Sequence, residues 1–151
     1  MKKLLIIGSS NAEVDVIKIA QSMGYYVITT DYYTDKNIIP AKFVANEAWN
    51  ISWMDYDTLE QKCREVGVDG IMAGFSEFRV ESMIEMCKRL NLPCYINSDQ
   101  LEITRDKNKF KKLCKEFGVP IVNEYDPNSK DIKFPVIIKP TDSGGSSGSN
   151  G

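Results

Sequence analysis

Near the end of this 151-residue chain, a lysine and a run of small residues have the types and spacing for phosphate chemistry. Lys139 closes the β-branched run Val136-Ile137-Ile138, and Pro140 stops it. Ser143, Gly144, Gly145, Ser146, Ser147, Gly148 and Ser149 follow. Glycines let backbone N–H groups come close to an anion, and serine hydroxyls add donors. A neighbouring lysine adds a point charge. A flexible Gly/Ser linker is the alternative, and the strand-like run directly before the loop argues against it. A second cation, Lys107, sits in the first turn of a predicted helix, where it opposes the helix dipole by about 0.3–1 kcal/mol. A nearby anion would offset that cost. The alternative is a solvated cluster with Arg105, Lys109, Lys111 and Lys112.

Two further groups fall where ligands bind in parallel α/β sheets. Gly8-Ser9-Ser10-Asn11 follows the first apolar run and opens a helix, a place suited to an anion. A dinucleotide fingerprint would need glycines at positions 10 and 13, where Ser10 and Glu13 stand. Asp31 lies where a ribose-binding acid would fall in such a fold. Ser76-Glu77-Phe78-Arg79 comes just after another apolar run, and Glu77 and Arg79 are candidate substrate contacts. The alternative is helix capping, with Ser76 as the cap. The chain has no histidine, which excludes Ser-His-Asp and Cys-His catalysis within it. Cys63, Cys87, Cys94 and Cys114 contain no C-x-x-C pair, so a zinc site is not expected and no metal ligand is assigned. Cys63, Cys87 and Cys114 are expected as reduced core thiols.

The elements that position these residues alternate between strand and helix. Leu4-Leu5-Ile6-Ile7, Tyr25 to Thr30 and Gly70 to Gly74 read as buried strands. Phe43-Val44-Ala45 reads as a short third strand, and Leu92 to Ile96 as a last one. A first helix starts near Ala12, with Val16, Ile19, Ala20 and Met23 as its stripe. A second opens with a capping box at Asp57-Thr58-Leu59-Glu60 and ends at Gly67. A third carries Val80, Met83, Ile84, Cys87 and Leu90. Apolar strands alternating with amphipathic helices predict a parallel sheet covered on both faces. A boundary is expected near residue 97. Beyond it, Ser98 opens a short helix and Asp106 caps another, with Phe110, Leu113, Cys114 and Phe117 on one face. Ile121-Val122 and Val136-Ile137-Ile138 then read as strands of a new sheet. The domains are therefore 1–97, a complete α/β unit, and 98–151, the start of a second.

Composition is ordinary for a folded protein, at 42% hydrophobic and 26% charged. The formal net charge of −2 argues against general affinity for nucleic acid or anionic membrane. No apolar run approaches the ~20 residues of a membrane span. The start, Met1-Lys2-Lys3-Leu4-Leu5-Ile6-Ile7-Gly8, is too short in apolar residues for a signal peptide, so a cytoplasmic location is expected.

The segment F-P-V-I-I-K-P-T-D-S-G-G-S-S-G resembles the strand and glycine loop of ATP-grasp ligases, in the group of biotin-carboxylase-like and carbamoyl-phosphate-synthase-like proteins. The order of the other elements resembles them too. These proteins carry a Rossmann-like domain, a linking helix, a helix beginning D-K, and then the loop. Here the D-K helix is Asp106-Lys107-Asn108-Lys109-Phe110, followed by Phe117-Gly118-Val119-Pro120. The resemblance implies that Lys107, Lys139, Gly144, Gly145, Ser146, Ser147 and Gly148 bind nucleotide phosphates. It places Gly8, Ser9, Ser10, Glu77 and Arg79 at a substrate pocket. It implies ATP and Mg²⁺ as cofactors, with the magnesium ligands beyond residue 151, and small carboxylate and amine substrates joined through an acyl phosphate. No catalytic residue is assigned, and a homodimer stays open. The expectation is an N-terminal portion of such a ligase, inactive by itself. The alternatives are a nucleotide-binding or regulatory module without turnover and an NAD-dependent oxidoreductase.

Overall fold

The computed structural model describes residues 1–123, 125, 128 and 130–138. The chain divides into two compact units, Met1–Asn97 and Ser98–Gly151. Lys139, Gly144, Gly145, Ser146, Ser147 and Gly148 lie outside the described residues.

The first unit is an α/β fold around a four-stranded parallel sheet. Its strands are β1 (Lys3–Ile7), β2 (Tyr26–Thr30), β3 (Glu47–Trp49) and β4 (Gly70–Ala73), in spatial order β3-β2-β1-β4. All three pairings are parallel, with Leu5 opposite Ile28 on one side and Ile71 on the other. The connecting helices are α1 (Asn11–Ser22), α2 (Tyr56–Val66) and α3 (Glu77–Leu90). Period-two alternation in β1 feeds two separate cores. Leu5 and Ile7 pack with Ile28, Leu59, Met83 and Met86, on the face that α2 and α3 cover. Ile6 packs with Ile17, Ala20 and Val27, on the α1 face.

Several boundaries differ from the sequence reading. The third strand is Glu47–Trp49 rather than residues 43–45, because Pro40 starts a 3-10 turn (Pro40–Phe43) that buries Ala41. The cap of α2 is Asp55, whose carboxylate accepts from the Thr58 amide at 3.3 Å, so the helix begins before the expected box. The buried stripe of α1 is Glu13, Ile17 and Ala20, whereas Ile19 and Met23 are exposed. Residues 92–96 form no strand; the Tyr95 hydroxyl instead donates to the Ala73 carbonyl at the end of β4. Cys63 and Cys87 are buried as expected, and Cys114 is only half-buried.

The second unit contains α4 (Ser98–Arg105) and α5 (Lys107–Glu116). Asp106 caps α5 by accepting from the amides of Asn108 and Lys109, and Gly118 follows with φ +68°. The face expected to pack carries Phe110, Leu113 and Phe117, yet all are exposed and α5 buries no side chain. Among the described residues of 121–138 there is no strand; Ile138 makes only an isolated bridge, and Val122 and Ile137 are exposed. The strands expected at 121–122 and 136–138 are therefore absent from the described residues.

Candidate functional site

The carboxyl end of the sheet gathers the polar residues of the first unit, as parallel strands require: each helix N-terminus returns to that edge. Gly8 leaves β1 with φ +116°, a conformation that strains any residue with a Cβ. Its amide donates to the Thr30 carbonyl at 3.0 Å, and its carbonyl accepts from the Thr29 hydroxyl. The Ser9 carbonyl accepts from the Ala41 amide at 3.1 Å, and the buried Ser9 hydroxyl has no partner among the described residues. Ser10 caps α1, accepting from the Ala12 amide at 3.3 Å and donating to Glu13 Oε2 at 2.6 Å.

Glu13 is 1% exposed, on the first turn of α1. Its other oxygen accepts from Arg79 Nη1 at 2.7 Å. Arg79, reaching over from the first turn of α3, also places Nη2 at 3.7 Å from Asp31 Oδ2. Asp31 is 1% exposed at the end of β2. A buried carboxylate is costly unless paired, and one guanidinium here serves both. The guanidinium lies directly over Gly8: a Cβ there would stand 2.9 Å from Arg79 Cζ and 2.9 Å from Glu13 Oε1.

The rim of this edge is held by Lys42. Its ammonium donates to the carbonyls of Asp31 at 2.6 Å and Tyr33 at 2.7 Å, and to Asn50 Oδ1 at 2.8 Å. Burial pushes its pKa down, and the Asp31 charge opposes that shift. The rings of Tyr32 and Tyr33 sit 4.1 Å apart, both exposed. Hydrogen bonding between them pushes the Tyr32 phenol above its ordinary range, with burial and the Asp31 charge adding to it and Arg79 opposing. Phe75 stands exposed just after β4 with φ +62°, an uncommon backbone for a bulky residue.

Of the predicted substrate contacts, Gly8, Ser10 and Arg79 meet in one cluster, with Ser9 between the first two. Glu77 is exposed on the first turn of α3. Ser76 is the N-cap of α3 without a side-chain cap bond. Lys107 is exposed at the first position of α5, in the other unit. The residue that sequence reasoning passed over is Glu13, noted only as a missing glycine. A signal was present: Ser10-Asn11-Ala12-Glu13 has the spacing of a capping box. A groove of about 530 Å³ lies elsewhere, at the amino ends of β1 and β4, lined by Val16, Ile19, Met23, Tyr25 and Met72 among others.

No protein-family model matches the chain. Individual relatives do. A formate-dependent phosphoribosylglycinamide formyltransferase of Prochlorococcus marinus is 26% identical over 148 residues, covering 92% of this chain and 37% of the relative. Biotin carboxylase 1 of Bacillus subtilis is 26% identical, covering 98% of this chain and 37% of its own length. Among solved structures, N5-carboxyaminoimidazole ribonucleotide synthetase from Thermotoga maritima superposes with a TM-score of 0.68 at 26% identity, over 95% of this chain and 39% of that one. The match is to the N-terminal portion of ATP-grasp ligases. The chain spans about 37% of the length of the curated ATP-grasp relatives it matches. An L-amino acid ligase from Bacillus licheniformis, at 20% identity and a TM-score of 0.67, shares the fold.

Proposed function

We propose that this chain forms the N-terminal part of an ATP-dependent ligase that joins a small carboxylate to an amine through an acyl phosphate. The observation that carries the reading is the match over 148 residues, which runs through both units at one go. A parallel sheet alone would fit many folds; a sheet followed by the α4–α5 helix pair, with a lysine directly after the α5 cap, fits far fewer. In this reading Lys107, Lys139 and the loop Gly144-Gly145-Ser146-Ser147-Gly148 hold nucleotide phosphates. Lys107 suits a phosphate because its side chain is exposed at a helix start whose Asn108 and Lys109 amides are already taken by Asp106. Its contribution is therefore the ammonium charge and not the backbone. The nucleotide would supply the phosphoryl group that activates the carboxylate. Among the described residues no group of three or more His, Cys, Asp or Glu is placed to hold a metal ion. The carboxyl edge with Gly8, Ser9, Ser10, Glu77 and Arg79 borders the substrate pocket.

The test is nucleotide binding by a polypeptide that continues past Gly151 to the length of the relatives. Lys107→Ala and Lys139→Ala are each expected to weaken ATP binding by about 1.5–3 kcal/mol, the value of one charged hydrogen bond. Titration calorimetry reads the change. ATP affinity equal to that of the parent polypeptide in both variants would sink the assignment.

A further inference from the structure

We infer that Glu13 is a specificity residue: it supplies from within the chain the anion that Arg79 and the α1 N-terminus would otherwise take from a ligand. The inference rests on the reading that this edge borders the substrate pocket, and it narrows what that pocket accepts.

A glycine-bearing turn between a parallel strand and a helix, with an arginine above it, is a receptor for phosphate or carboxylate. Two donors of that receptor, the Ser10 hydroxyl and Arg79 Nη1, are taken by Glu13. Glu13 Oε2 takes the Ser10 hydroxyl at 2.6 Å, and Oε1 takes Arg79 at 2.7 Å. A second guanidinium nitrogen, Nη2, lies 3.7 Å from Asp31 Oδ2. Glu13 and Asp31 are each 1% exposed, so their charges act at short range through little water. Two carboxylates face the one guanidinium, with the Lys42 ammonium on the Asp31 carbonyl at 2.6 Å. An incoming phosphate or carboxylate would meet the Glu13 carboxylate already seated on the Ser10 hydroxyl and on Arg79 Nη1. The open space above Gly8 is filled by the guanidinium itself. The part of a substrate that reaches this edge is therefore uncharged or carries an amine. Its phosphate or carboxylate groups bind elsewhere. The same cluster leaves no seat for the pyrophosphate of a dinucleotide.

Chemical rescue tests this on the 151-residue chain itself, with formate as the probe. Removing the side chain in Glu13→Ala empties the anion position. Formate is expected to raise the thermal midpoint of that variant, growing with the logarithm of its concentration. It is also expected to shift the amide resonances of Asn11, Ala12 and Val14. The parent chain should show neither response. Formate shifts at those amides in the parent chain would overturn the inference, since the position would then be open. So would an alanine variant that formate neither stabilises nor refolds, since no anion position would exist. The ligase reading is decided separately by ATP binding to the longer polypeptide, so either idea can fail alone.

Discussion

Arg79 shows how one side chain is claimed by structure before any ligand arrives. Its guanidinium holds Glu13 and Asp31, both 1% exposed, and it lies against Gly8. Removing one partner of a buried ionic group leaves the others uncompensated, at a cost of about 3–5 kcal/mol. Arg79→Met is thus expected to lose most of that amount in urea denaturation, and Arg79→Lys to recover part of it. An Arg79→Met chain as stable as the parent would show that the cluster is not a structural pivot. The cysteines give a second prediction at this scale. Burial pushes the Cys63 thiol up to about 12, with the Glu60 charge adding to it. Burial likewise pushes Cys87 up to about 12, aided by Cys94. Thiolate is the reactive form, so at pH 8 a thiol reagent should label Cys94 and Cys114 and spare Cys63 and Cys87 until the chain unfolds. The sign for stability follows. A pKa raised in the folded state contributes fully below the unfolded value near 9 and is lost as pH climbs toward 12. Unfolding free energy should fall across that window, less steeply in a Cys63→Ala/Cys87→Ala chain.

At the scale of elements, the caps decide where helices begin. Asp55 and not Asp57 accepts from an amide at the start of α2. Asp55→Ala is expected to cost about 1 kcal/mol, as loss of an N-cap does. Asp57→Ala should cost less, since Asp57 is exposed and its ion pair with Arg89 lies at the surface. Equal losses in thermal melts would contradict the cap assignment. The same sequence spacing misled the reading of α1. Val16, Ile19, Ala20 and Met23 repeat at helical intervals, but the buried face is turned to Glu13, Ile17 and Ala20. An arc of apolar residues wider than the contact leaves the choice of stripe to the sheet. In α5 the periodicity was also real, yet Phe110, Leu113 and Phe117 are exposed, because periodicity states a preference and not a partner.

For the whole molecule, the first unit carries its own two cores, one on each face of the sheet. A domain with its own core is able to fold alone. Residues 1–97 expressed alone are therefore expected to unfold cooperatively, with a thermal midpoint close to that of the full chain's main transition. Circular dichroism of the two chains checks this. A disordered 1–97 polypeptide would show that the boundary cuts through one cooperative unit.

The sequence by itself determined the parallel α/β class, the first two strands, β4, the ends of α2 and α5, and the resemblance to ATP-grasp ligases. These follow from local causes: β-branched runs, helical periodicity, and glycines at Gly67 and Gly118 where φ is positive. The short β3 and the loop at 92–96 were not legible, because a three-residue strand carries little pattern and its pairing with β2 is a tertiary choice. Gly8, Ser10 and Arg79 were each picked out as binding residues. That they form one cluster, with Glu13 at its centre, was decided only when β1, β2 and β4 lined up and α1 and α3 returned to the same edge. Glu13 and Arg79 are 66 residues apart in the chain and 2.7 Å apart in the fold. No spacing rule reaches that far; only the register of the sheet brings that carboxylate to that guanidinium.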